Sequence, residues 1–141
     1  MKMNSWFDIT ALGKTLSVNE DQIATSTARV TQVLEEEAKA LGGDYSKIFL
    51  GGFSQGCLMS INTAILAPFR VGGVLGLSGA AFESLLKKVK EDKEGRFEDK
   101  KKNLSLFLYH GMSDPTLNYE LADASYKQMK DLSFEKMEYQ A

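Results

Sequence analysis

At 141 residues, 43% hydrophobic and 26% charged, the sequence has the make-up of one globular domain at most. A net charge of −2 and a pI near 5.5 exclude a basic nucleic-acid footprint, and no apolar run reaches the ~18 residues of a membrane span. Cys57 is the lone cysteine, so no internal disulfide forms. With no signal-like apolar core after Met1-Lys2-Met3-Asn4-Ser5, the expected compartment is the cytosol.

In chain order, Trp6-Phe7-Asp8-Ile9 reads as a short loop with an aromatic anchor, and Gly13 to Leu16 as a further loop. Ser17 and Glu20 have the spacing of a capping box, which predicts a helix from Ser17 to about Leu41. Ile23, Thr27, Val30, Leu34, Ala38 and Leu41 form its inward stripe, Glu35 to Glu37 its solvated face, and Gly42-Gly43 its end. Ile48 to Leu50 reads as a buried strand. A helix comes next, with Leu58, Ile61, Ala64 and Ile65 at helical spacing, and Pro68 stops it. Val71 to Gly79 is apolar on both parities, the pattern of a strand buried on both faces of a parallel sheet. Phe82, Leu85, Leu86 and Val89 give a brief helical pattern. The dense mixed charge after it marks residues 80–103 as a solvated, charged excursion. Leu104 to Tyr109 is the next buried strand and His110 to Pro115 the turn after it. A helix starting near Asn118 turns Leu121, Ala124, Ser125, Met129 and Leu132 inward, and Met137 to Tyr139 is an edge strand. This alternation predicts an α/β architecture, a parallel sheet of about four strands flanked by helices.

The chemistry concentrates at Gly52-Phe53-Ser54-Gln55-Gly56, a G-x-S-x-G between a strand and a helix. A tight strand-to-helix turn there holds Ser54 in a strained conformation and aims its hydroxyl out of the sheet. A side chain on Gly52 or Gly56 is expected to strike neighbouring backbone. The head of the helix and the Gln55 N–H are placed to stabilise an oxyanion. A serine hydroxyl needs a base, normally a histidine held by a carboxylate. Asp114, close behind a predicted strand, falls on the same rim as Ser54. No histidine comes after it. His110, the one histidine, precedes the acid and reads as a group that fixes its turn by hydrogen bonds.

Gly51-Gly52-Phe53-Ser54-Gln55-Gly56, Gly76-Leu77-Ser78-Gly79 and His110-Gly111-x-x-Asp114-Pro115 together resemble the acyl-protein thioesterase group of the phospholipase/carboxylesterase family. Ser5-Trp6-Phe7-Asp8-Ile9 ahead of a helix is similar as well, so the resemblance spans nearly the whole chain. It implies an α/β-hydrolase fold in which Ser54 is the nucleophile, Asp114 the triad acid and the Gln55 N–H half of the oxyanion hole. The implied substrates are acylated proteins, lysophospholipids or small esters, cleaved without metal or cofactor. The resemblance also implies strands ahead of Trp6 and a triad histidine after Asp114, and these residues contain neither. Residues 1–141 are therefore expected to form one incomplete α/β-hydrolase domain, truncated at both ends and nearly inactive alone. Its open sheet edge calls for a companion chain or self-association. A competing expectation is a catalytically inactive hydrolase-like structural or binding subunit.

Overall fold

The computed structural model describes residues 3–141. The chain opens with an antiparallel hairpin, β1 (Ile9–Leu12) and β2 (Leu16–Val18), where the sequence reads as loop. Ile9, Leu16 and Val18 rest half-buried against the core, which is what pins so short a pair. Helix α1 (Glu20–Ala40) is capped by Asn19, whose side chain accepts from the Gln22 amide at 3.1 Å. The predicted cap, Ser17, lies inside β2 instead. A tertiary contact decides this. The Asp8 amide donates to Gln22 Oε1 at 2.6 Å, Gln22 Nε2 donates to Asp8 Oδ2 at 3.0 Å, and the Asn19 amide donates to the Asp8 carbonyl at 3.1 Å. Helix α1 buries Ile23, Leu34 and Ala38 and exposes Glu35 to Glu37. It ends as expected at Gly42 and Gly43, both at positive φ, with the Gly43 amide on the Ala38 carbonyl.

The main sheet has four parallel strands in the order β3 (Phe49–Phe53), β4 (Gly73–Leu77), β5 (Ser105–Tyr109), β6 (Met137–Gln140). Its crossovers are α2 (Gln55–Leu66), the pair α3 (Glu83–Glu91) and α4 (Glu98–Asn103), and α5 (Tyr119–Asp131). Strands laid down consecutively in one direction by right-handed crossovers place every crossover helix on the same face. Helix α2 is the centre of the resulting core. Every residue from Cys57 to Ile65 is buried, because the sheet lies on one side of the helix and α1 on the other. Val74, Leu106 and Leu108 are buried on the sheet face that the helices cover, each burial worth about 1.5–3 kcal/mol.

The opposite sheet face is bare. Phe49, Phe53, Leu75, Leu77, Phe107 and Tyr109 stand between 38% and 70% exposed. The strands expected to be buried on both faces are thus covered on one only. Their sequences are apolar on both parities, but none of the chain's crossovers reaches the second face. β3 is also a free edge, as the resemblance implies.

Two further expectations are met in part. The helical pattern of Phe82, Leu85, Leu86 and Val89 is α3, which buries Leu85, Leu86 and Val89; the charged run after it is mostly exposed from Lys90 to Arg96, but Phe97 is buried beside α4. Lys100 of α4 is buried too, its ammonium donating to the carbonyls of Ile65, at 2.7 Å, and Ala67, at the end of α2. Burial pushes this amine down to about 8. On α5 most of the predicted stripe holds. Ser125 and Met129 are buried and Leu121 and Leu132 pack half-buried against the core, whereas Ala124 is exposed and Ala122 and Tyr126 are buried in addition. Tyr126 lies with its hydroxyl 3.6 Å from the Cys57 thiol and its ring edge-on against Tyr139. Met137 and Tyr139 alternate with exposed Glu138 and Gln140, as an edge strand predicts.

Candidate active site

At the carboxyl ends of β3, β4 and β5 the chain leaves the sheet through Ser54, Ser78 and His110. Each donates its amide to the last residue of the neighbouring strand: Ser54 to the Leu77 carbonyl at 2.9 Å, Ser78 to that of Tyr109 at 2.9 Å, and His110 to that of Gln140 at 3.0 Å. The ladder therefore runs one step beyond the strands and sets the three residues side by side along one rim, about 4.8 Å from neighbour to neighbour.

Ser54 turns directly from β3 into α2. Its φ of 55° and ψ of −116° lie where L-residues are rarely held, at a cost of about 1–3 kcal/mol. Among the described residues its side chain caps no helix amide, so the hydroxyl is not committed to structure. The turn is as tight as the G-x-S-x-G pattern requires on one side. A Cβ on Gly52 would lie 2.1 Å from the carbonyl carbon and oxygen of Gly56 and 2.6 Å from the Cys57 nitrogen. The same expectation fails for Gly56, where a Cβ would meet nothing within 4 Å. The close approach is made by the backbone of Gly56, not by its side-chain direction. The Gln55 N–H is the first of α2 and has no intrahelical acceptor. It stands at the positive end of the helix dipole, directly after Ser54 in the chain.

Gln55 has a role that the sequence did not disclose. Its side chain holds the N-terminal segment, accepting from the Trp6 amide at 3.1 Å and donating to the Phe7 carbonyl at 3.0 Å. Phe7 is the buried anchor, packed edge-on against Phe82 with ring centroids 5.2 Å apart, while Trp6 is half-exposed. A cleft of about 960 Å³, walled by Met3, Ser5, Phe7, Ile9 and Gln55, opens beside the turn.

Asp114 sits on the loop from β5 to α5, on the rim that also carries Ser54. One oxygen, Oδ1, accepts from the amides of Thr116, at 2.8 Å, and Leu117, at 3.0 Å, which locks the loop. The other lies 3.8 Å from His110 Nε2. The Leu117 amide, then that of Thr116, the nearby His110 and the Ser78 hydroxyl hold the carboxyl below its ordinary value, against an opposing push from burial. Ser78, the residue between Ser54 and His110 on the rim, is the least of these influences. It too has positive φ, 53°. The signal for it was present in the sequence: a serine directly after an apolar strand and before a glycine, placed as Ser54 is.

His110 is fully buried, and its Nε2 donates to the Leu117 carbonyl at 2.9 Å. It is a brace of the acid loop, as its sequence position suggested. Cys57, packed behind the turn, has its thiol pushed up to about 11 by burial and stays protonated at neutral pH. Among the described residues no cluster of His, Cys, Asp or Glu is placed to hold a metal, and no helix is long and apolar enough to cross a membrane.

The family model described as Phospholipase/Carboxylesterase matches residues 1–140. The chain belongs to the phospholipase/carboxylesterase family. Among curated relatives, acyl-protein thioesterase 1 of Emericella nidulans is 33% identical over 145 residues, 99% of this chain and 59% of its own length. Acyl-protein thioesterase 1 of Aspergillus fumigatus is 31% identical over 148 residues, 100% of this chain and 59% of its own. The crystal structure of Arabidopsis thaliana SOBER1 superposes with a TM-score of 0.78 at 24% identity, covering 99% of this chain and 63% of that one. This likeness establishes the α/β-hydrolase fold. The chain spans between half and three-fifths of the length of the curated relatives it matches.

Proposed function

We propose that the site is the acyl-transfer half of a cytosolic serine hydrolase that cleaves thioesters or carboxylic esters of acyl groups. Ser54 attacks the acyl carbonyl, the Gln55 N–H stabilises the developing oxyanion, and Asp114 orients the base that takes the serine proton. The names of the curated relatives favour S-acylated proteins as substrates, with lysophospholipids or small esters as further candidates. The observation that carries this reading is the backbone of Ser54. A non-glycine residue is held at φ 55° at the head of a buried helix, with its hydroxyl left out of the capping role. A purely structural module gains nothing from that strain, and no observation favours one.

The base is the missing member. His110 is enclosed and already bonded to Leu117, so these residues bring no imidazole to Ser54. Hydrolysis by this chain alone is therefore expected to fall orders of magnitude below that of a complete triad. Free imidazole should substitute in part. With a p-nitrophenyl acyl ester, we expect a rate that rises with added imidazole beyond the buffer's own rate and returns to it in Ser54→Ala. Equal rates in both proteins at every imidazole concentration would refute Ser54 as nucleophile. Robust fluorophosphonate labelling without imidazole would refute the claim that the base is missing.

A further inference from the structure

The two oxygens of Asp114 are held unequally. Both loop amides that reach the carboxylate, those of Thr116 and Leu117, go to Oδ1, at 2.8 and 3.0 Å. Oδ2 takes neither and lies 3.8 Å from His110 Nε2, beyond hydrogen-bond reach. Leu117 is therefore used twice. Its N–H serves the acid, and its carbonyl accepts the His110 Nε2 proton at 2.9 Å. The His110 backbone is anchored in turn, its amide donating to the Gln140 carbonyl at the end of β6. Leu117 and His110 are 4% and 0% exposed, so this relay runs through the interior, enclosed by the described residues. The imidazole also carries a cost. Its other nitrogen, Nδ1, is enclosed as well, and among the described residues it has no partner. A buried polar atom without a partner destabilises a fold. An apolar side chain of similar size would avoid that cost and forgo only the bond to Leu117. What the imidazole supplies at this position is the Nε2 proton.

We infer that His110 is a positioning residue for the acid: its Nε2 proton pins the Leu117 carbonyl, so that the Leu117 amide engages Oδ1 and Oδ2 is left to meet a base. This rests on the proposed reading of Ser54 and Asp114 and adds to it a residue that touches neither substrate nor base. It gives the histidine a task in the reaction without making it the base, since its placed proton is already engaged. Without the Leu117 amide only that of Thr116 would hold the carboxylate, which would be free to turn about its Cβ–Cγ bond. Small misplacements of this kind are costly in rate while leaving the fold intact.

The test uses the 141-residue chain with a p-nitrophenyl acyl ester and added imidazole, the rate of Ser54→Ala being subtracted throughout. Asp114→Asn should lower the imidazole-dependent rate at least about ten-fold. Glutamine carries its amide nitrogen as many bonds from Cγ as Nε2 stands, and asparagine only as many as Nδ1. His110→Gln should therefore keep the rate within about three-fold, and His110→Asn should lose at least about ten-fold, with circular dichroism showing both folded. Added to Asp114→Asn, His110→Asn should cost nothing further, because the histidine acts only through the acid. Should the asparagine chain not fold, His110→Met, which removes the proton and the orphaned Nδ1 together, takes its place. Equal rates in the glutamine variant and its comparison, an additive loss in the double variant, or an Asp114→Asn chain as fast as the parent would overturn the inference. So would a glutamine chain that does not fold, or loss of folding in both other variants, which would make His110 a structural residue. If Ser54→Ala keeps the imidazole-dependent rate, the catalytic reading itself fails and takes the inference with it; with that dependence intact, only the inference falls.

Discussion

Ser54 and Ser78 form a natural pair. Both come directly after a strand, both have φ near +54°, at 55° and 53°, and both tie their amide to the end of the next strand. They differ in the residues on their C-terminal side. Ser54 leads straight into α2, and its side chain caps none of the helix amides. Ser78 leads into Gly79-Ala80-Ala81, and no helix begins before Glu83. One backbone device thus serves two ends. At β3 it starts a buried helix at once, and at β4 it leads into a stretch without one. What separates them is whether a buried helix begins at once, and that in turn depends on Gly52.

The largest effect expected from breaking this arrangement is at that glycine. Gly52→Ala places a methyl against the Gly56 carbonyl, and chemical denaturation should show a loss of at least ~3 kcal/mol, with the tight turn at Ser54 no longer held. Gly56→Ala, the other glycine of the same motif, should change stability by only about 0.5 kcal/mol. Relief of strain gives a smaller effect of opposite sign. Ser54→Gly should stabilise the chain by about 1 kcal/mol while removing fluorophosphonate labelling in imidazole. Ser78→Gly, at the matching φ of 53°, should give a gain of similar size. A gain confined to Ser54 would show that the two turns do not carry the same strain.

The smallest effect is electrostatic. The folded chain holds Asp114 below its ordinary value of 3.8, so the unfolded chain binds the proton more readily. The stability this confers is present above pH 3.8 and is lost as pH falls through the lower, folded value. Ser78→Ala should move the Asp114 titration back toward 3.8, read from its carboxyl carbon resonance. It should also lessen the stability that acid removes. An unmoved titration would leave the Leu117 and Thr116 amides and the nearby His110 as the cause.

The succession of strands and helices along the chain, the elbow and the acid loop were legible because they depend on local pattern: apolar runs, glycines at turns, and a carboxylate after a strand. Where the reading failed, a distant partner had the deciding contact. Ser17 has the right spacing for a cap, but Asp8 holds Gln22 and Asn19 and moves the helix start. The lysine-rich run after Val89 looks solvated because charge density says nothing about two carbonyls left open at the end of α2, which Lys100 reaches. Tyr126 widened the α5 stripe by packing against Cys57 and Tyr139, contacts that helical spacing alone does not reveal. The bare sheet face was misread for a different reason. Apolar residues on both parities record that both faces are meant to be dry, and the sequence of one layer does not name the layer that dries the second.

Gln55 works at both of its ends. Its backbone amide heads the helix beside Ser54, and its side chain grips Trp6 and Phe7. The amino-terminal segment and the first turn of α2 are therefore joined through one side chain, so a Gln55→Ala change would free Trp6 and Phe7 from the elbow while leaving the backbone amide in place.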